Sequence, residues 1–194
     1  APVLLFYKGD LNLLKLPKVA VVGSRSCSQI GTKSVRKIIE ELENELVVVS
    51  GLARGIDTAA HMSVLQTGGK TIAIIGTGLD VYYPRSNKRL QEYIGEHHLL
   101  LSEYGPGEEP LKYHFPARNR IIAGLSHGLC VIEAKLHSGS LITANVALSE
   151  NRQVFALPGN ITSEYSKGTN ELITAGALPI RNANDILDSL YYFP

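Results

Sequence analysis

Two cysteines in 194 residues are too few for a disulfide framework. Cys27 sits in a glycine loop and Cys130 inside an apolar run, which suits neither a secreted scaffold nor a zinc site; a reducing cytoplasm is the compartment they fit. No hydrophobic run reaches membrane length, since Leu46 to Val49 and Thr71 to Ile75 are strand-sized, and no signal peptide is visible. Excess charge is lacking too: the formal net charge is +1, so any attraction for a polyanion must come from a local patch. The six histidines include the adjacent pair His97 and His98, but they lack metal-ligand spacing, so neither a metal nor a cofactor is expected. A lysine-bearing phosphate loop of the nucleotide-hydrolysing kind is missing. Gly76-Thr77-Gly78-Leu79-Asp80-Val81 has valine where a dinucleotide fingerprint needs its third glycine, which argues against NAD.

What the chain has is 44% hydrophobic residues punctuated by 18 glycines and 9 prolines, enough for one well-buried domain. Short apolar runs alternate with helical patterns, the signature of an α/β fold with a mostly parallel sheet and helices on both faces. Strands are expected at Val19 to Val22, Leu46 to Ser50, Thr71 to Ile75, Leu99 to Ser102, Leu129 to Glu133, Gln153 to Leu157 and Leu178 to Ile180. Helices are expected at Thr32 to Leu46, from an Asp57 N-cap through Leu65, at Ala117 to Leu125, from Ser138 to Ser149, at Asn170 to Ala175 and from Asn184. A hairpin in Leu4 to Leu14, turning at Lys8-Gly9-Asp10, would form a short extension over residues 1–17 of a single domain spanning 1–194. The start at Ala1, without methionine, suggests a fragment of a longer polypeptide.

Nearly every strand end carries glycine: Gly23, Gly51, Gly76, Gly105, Gly139 and Gly159. In open parallel sheets these ends form the ligand rim, so bare main-chain amides there point to a long phosphate-bearing ligand. Gly23-Ser24-Arg25 is the sharpest instance. Amides opening the next helix would face an anion, Ser24 would add a hydroxyl, and Arg25 a forked, permanently charged partner for phosphate.

Six blocks taken together carry a resemblance. They are Val19-Ala-Val-Val-Gly-Ser-Arg25, Ser50-Gly-Leu-Ala-Arg-Gly-Ile-Asp57, Gly76-Thr-Gly-Leu-Asp80, Phe115-Pro-Ala-Arg-Asn-Arg120, Ser138-Gly-Ser-Leu-Ile-Thr143 and Pro158-Gly-Asn-Ile161. In this order they make the chain resemble the DNA-processing protein A family, also called DprA or Smf, over nearly its whole length. The resemblance implies an extended Rossmann-like core and a non-enzymatic function: sequence-independent single-stranded DNA binding that protects incoming DNA and loads the RecA recombinase in natural transformation. It also implies a homodimer through the C-terminal part, where Leu172, Ile173, Leu178, Ile180, Ile186, Leu187 and Leu190 are either an apolar contact patch or core. Family members often carry small flanking domains, including a winged helix; the end at Tyr192-Phe193-Pro194 follows the core closely, so the expectation is that such a domain is either absent from the parent protein or removed. Ile30 departs from the tyrosine frequent in the family before the following glycine.

The candidate DNA-binding residues are Gly23, Ser24, Arg25, Gly51, Arg54, Arg85, Lys112, Phe115, Arg118, Asn119, Arg120, Ser138, Gly139 and Ser140, with none catalytic. Lys112 to Arg120 interleaves cations with an aromatic, as single-strand binding requires: a cation grips phosphate and a ring accepts a base. The resemblance assigns these roles to Lys112 and Phe115. Phe115 before Pro116 also fits a hydrophobic staple, and Arg118 and Arg120 point to different helix faces, so at least one is structural. Arg54 reads equally as a solvent-facing charge, and of Arg85, Lys88 and Arg89 only Arg85 lies near the rim. Two other functions are alternatives on the same rim. The wider Rossmann-like group that this family resembles includes nucleotide phosphoribohydrolases, and that resemblance places their catalytic glutamate where Thr143 stands; a small-nucleotide sensor would need no catalytic group.

Overall fold

The computed structural model describes residues 2–191; Ala1 and Tyr192-Phe193-Pro194, the ends on which the fragment and flanking-domain expectations rest, lie outside them. Eight strands form one sheet in the order β1-β5-β4-β3-β2-β6-β7-β8. They are β1 (Phe6–Gly9), β2 (Lys18–Val22), β3 (Val47–Ser50), β4 (Thr71–Ile75), β5 (Leu99–Ser102), β6 (Gly128–Val131), β7 (Gln153–Ala156) and β8 (Leu178–Pro179). All pairings are parallel except β1 with β5. The helices are α1 (Gln29–Glu41), α2 (Ile56–Thr67), α3 (Lys88–His97), α4 (His114–Leu125), α5 (Gly139–Ser149), α6 (Lys167–Thr174) and α7 (Asn184–Tyr191).

Residue alternation along the strands assigns the helices to two faces. In β2, Val19 and Val21 join a core with Val35, Ile38 and Ile39 of α1, Ile56 and Val64 of α2 and Ile186 of α7. Ala20 and Val22 join the opposite core with Ile121 and Ile122 of α4, Ala144 and Ala147 of α5 and Leu172 of α6. Every residue of β2 is buried, as expected of a strand covered on both faces. Chain order reverses between β2 and β6, so the crevice at their carboxyl ends is the ligand position of such sheets.

Four local expectations are corrected. The N-terminal segment is not a hairpin: β1 pairs with the distant β5, Phe6 opposite Ser102, and Leu11–Lys15 forms a 3-10 turn because Asp10 accepts from the Asn12 N–H at 2.9 Å. Helix α1 starts earlier and ends earlier than Thr32 to Leu46, stopping where Glu43 and Asn44 take positive φ of 48° and 63°. Asp57 is not the N-cap of α2 but a buried first-turn residue, the cap being Gly55. Helix α3, which carries Lys88 and Arg89, was not foreseen. Of the expected C-terminal patch, Leu172, Ile180, Ile186 and Leu187 are core, Ile173 and Leu190 pack against it, and Leu178 is exposed.

Gly55 has φ +77° and ψ −125°, a region open essentially to glycine alone. A Cβ there would also run into the Ser24 carbonyl oxygen and the Arg25 main chain. Gly55→Ala is therefore expected to destabilise the fold by about 2–3 kcal/mol, read as a lower urea midpoint at unchanged slope.

Candidate functional site

Two adjoining cavities of about 700 and 640 Å³ lie along the carboxyl ends of the strands. Both are lined by Arg25, Ser26, Ala53, Tyr83, Phe115 and Arg118, which makes them one trough with a shared waist. One arm adds Gly23, Ser24, Lys112, Asn119, Lys135 and the start of α5 at Ser138, Gly139 and Ser140. The other adds Gly51, Arg54, Gly76, Tyr82 and Arg85. The trough gathers the basic residues Arg25, Arg54, Arg85, Lys112, Arg118 and Lys135 against the acids Asp57 and Glu109. In a chain of net charge +1, this is the local patch that a polyanion needs.

At the waist the Phe115 ring carries the Arg25 guanidinium 5.1 Å from its centroid and Arg118 at 5.9 Å. Tyr83 leans on the same ring, centroids 5.4 Å apart and planes 39° apart. Phe115 is half-buried while Arg25 and Tyr83 are exposed, so an apolar platform and a free cation share one opening. Among the described residues Arg25 has no ion-pair partner.

Arg118 differs: it is 4% exposed and donates through Nη1 to the carbonyls of Gly51 and, at 2.6 Å, Ile74, while its Nε donates to Asn119 at 3.0 Å. Burial pulls its pKa down to about 10, so it stays charged at neutral pH. Arg118 thus ties α4 to the ends of β3 and β4 and contributes a fixed positive field under the trough. Gly51 is needed for this packing, since a Cβ would strike the Arg118 guanidinium and lie 2.7 Å from an Asp57 oxygen. Its bareness makes room for the protein's own Arg118 and Asp57. Gly139, by contrast, opens α5 into free space, and no side chain caps that helix start; Ser138 and Ser140 share a 2.9 Å hydroxyl contact. The α5 amides are one helix terminus open to an anion.

Other expected residues are placed elsewhere. Arg120 lines neither arm and is paired with Glu103. Ser24 turns its hydroxyl back on its own loop, donating to the Ser26 carbonyl at 3.0 Å, and its N–H is taken by the Glu133 carbonyl at 2.8 Å. Helix α1 opens five residues after Gly23-Ser24 rather than at it, with Ser28 as N-cap. Lys88 is engaged with Glu92 at 3.8 Å and lies over Tyr82, outside the trough lining. Tyr83, Lys135 and Asp57 were missed as site residues, because only the meeting of distant strand ends brings them to one opening. Thr143 lines the trough but is 1% exposed, its hydroxyl donating to the Gly139 carbonyl at 3.1 Å. Among the described residues no group of three or more His, Cys, Asp or Glu side chains could hold a metal, and no helix is long and apolar enough to cross a membrane.

Asp57 is 6% exposed on the trough floor, and desolvation pushes its pKa up to about 6 against the opposing pull of Arg118. A raised carboxyl pKa favours the protonated fold, a contribution lost as pH rises through about 6. For an anionic ligand the consequence is an affinity that climbs as pH falls from about 7.5 to about 5, because protonation leaves the Arg118 charge unopposed. One charge at ~10 Å and an effective dielectric of ~20, partly screened, corresponds to roughly 1 kcal/mol, or about fivefold. Asp57→Asn should flatten that profile in anisotropy titrations.

Fold and trough together define an open α/β protein with a basic, aromatic-floored channel along its strand ends, suited to a chain of phosphates. The profile of the DNA recombination-mediator protein A family matches residues 1–191, and the chain belongs to that family. It is 68% identical over 187 residues to the DNA processing protein DprA of Streptococcus pneumoniae, covering 96% of this chain and 66% of that protein. To the DprA of Bacillus subtilis it is 44% identical over 191 residues, 97% of this chain and 64% of that one. The chain thus spans about two thirds of the length of these relatives. The X-ray structure of the S. pneumoniae protein superposes with a TM-score of 0.96 over 97% of this chain and 66% of that one. DprA from Helicobacter pylori, solved for its unique single-stranded DNA binding mode, superposes with a TM-score of 0.89 at 35% identity, covering 98% of this chain and 87% of that one.

Proposed function

We propose that the chain binds single-stranded DNA without sequence preference in the strand-end trough, protects it and presents it to the RecA recombinase during natural transformation. The observation that carries the reading is the waist, where a free arginine and a half-buried phenylalanine face one opening between two arms lined with further cations. Arg25, Lys112, Lys135, Arg54 and Arg85 take phosphates, the α5 amides take another, and Phe115 with Tyr83 accepts a base. Such contacts fall on backbone and ring faces, which every sequence offers. The single-stranded DNA binding of the H. pylori relative supports the reading. A phosphoribohydrolase is disfavoured, because its glutamate position is held by Thr143 with its hydroxyl turned into its own helix.

The test is an anisotropy titration with labelled single-stranded and duplex oligonucleotides over a salt series, with free mononucleotides as competitors. Preferential single-strand binding that weakens with salt, at about 0.7 in log–log slope per phosphate contact, is the expected result. Tight binding and cleavage of a mononucleotide would replace the reading with an enzyme. Dimerisation through the C-terminal part belongs to the same proposal. It now rests on the two-residue edge strand β8 with its exposed Leu178, the other patch residues being largely core. Leu178→Asp is expected to shift the mass seen by light scattering from dimer to monomer, and an unchanged mass would remove that edge from the account.

A further inference from the structure

The Arg25 guanidinium has no carboxylate to aim it among the described residues, so its direction has to come from its loop. Both ends of that loop are fastened to one residue that follows another strand. Glu133, just past β6 and 5% exposed, accepts the Ser24 N–H on its main-chain carbonyl at 2.8 Å. Its carboxylate accepts the Ser28 N–H on Oε2 at 2.8 Å and the Ser28 hydroxyl on Oε1. Gly31, in the first turn of α1, leaves room for that carboxylate; a Cβ there would lie 2.5 Å from it. The amino terminus of α1, which in a sheet of this kind is the place for a bound phosphate, therefore already holds an anion belonging to the protein.

We propose that Glu133 is the positioning residue for Arg25: it spans the Ser24 to Ser28 loop, closes the α1 terminus to phosphate, and so fixes the guanidinium over Phe115 at the waist of the trough. The inference rests on the single-stranded DNA reading above and adds a residue that never touches the strand. It also accounts for where the anion sites lie. With α1 closed, the phosphate contacts are displaced outward to the exposed Arg25 and across to the uncapped start of α5.

The experiment is a double-mutant cycle between Glu133→Ala and Arg25→Ala, read by single-stranded DNA affinity and its salt slope, with Glu133→Gln as the isosteric variant. Glu133→Ala is expected to weaken binding about five- to tenfold in the parent chain and less than about twofold in the Arg25→Ala background. It should lower the salt slope by the same ~0.7 as Arg25→Ala, and Glu133→Gln should recover most of the affinity. If Glu133→Ala does not fold, Glu133→Asp, which withdraws the carboxylate from Ser28 by one methylene, replaces it with the same expected coupling. Equal losses in both backgrounds, or an unchanged salt slope, would make Glu133 a stability residue only and overturn the proposal. Unchanged affinity in Arg25→Ala alone would instead overturn the assignment of the trough, and this inference with it.

Discussion

Arg25→Ala is expected to weaken single-stranded DNA binding by about ten- to a hundredfold, the equivalent of one charge-assisted hydrogen-bonded contact worth ~1.5–3 kcal/mol. The side chain is exposed, lines both arms of the trough and, beyond its contact with the Phe115 ring, has no ion-pair partner among the described residues, so removing it is expected to cost the fold little and the ligand much. Two signatures separate this from a general loss of structure. The salt slope should fall by ~0.7, one phosphate contact, and the unfolding free energy from urea denaturation should stay within ~0.5 kcal/mol of the parent. Arg25→Lys should recover only part of the affinity, because an ammonium keeps the charge and loses the planar fork that bridges phosphate oxygens.

Phe115→Ala is the second large effect, about five- to a hundredfold on affinity, from loss of a base stack worth ~1–3 kcal/mol. Its salt slope should hardly move, since no phosphate contact is removed; this contrast with Arg25→Ala is the informative part. The ring also packs 3.3 Å from the position a Cβ would take on Gly76 and supports Tyr83, so some stability loss is expected as well. Phe115→Tyr keeps a stacking face and should bind within about threefold of the parent, whereas Phe115→Leu keeps bulk without a π-face and should resemble alanine. If leucine restored binding, the ring would be a packing residue and the stacking role would be wrong.

The buried strands were legible because a strand covered on both faces reads as an unbroken apolar run: Thr71 to Ile75 and Leu99 to Ser102 match β4 and β5 residue for residue. That Arg25, Lys112 and Phe115 line one trough follows for a related reason, since strand-end glycines mark the rim on which they meet. The chemistry of the glycines was less legible. Gly51 and Gly31 are bare to admit Arg118 and Glu133, partners 67 and about a hundred positions away, and nothing in a local pattern distinguishes that from making room for a ligand. The pairing of β1 with β5 was invisible for the same reason, and a plausible turn at Lys8-Gly9-Asp10 suggested the hairpin instead. Arg118 and Arg120 were correctly placed on different helix faces, but only the fold puts one under the trough and the other on Glu103.

The account turns on a strand lying along the trough with a base against the Phe115 ring. Photo-cross-linking with oligonucleotides carrying 5-iododeoxyuridine at successive positions, mapped by peptide mass spectrometry, tests this directly. Adducts on Phe115 and Tyr83, flanked by protection of Arg25, Lys112 and Lys135 from lysine- and arginine-modifying reagents, are the predicted result. Adducts confined to the opposite ends of the strands, around His127 and Arg152, would contradict it.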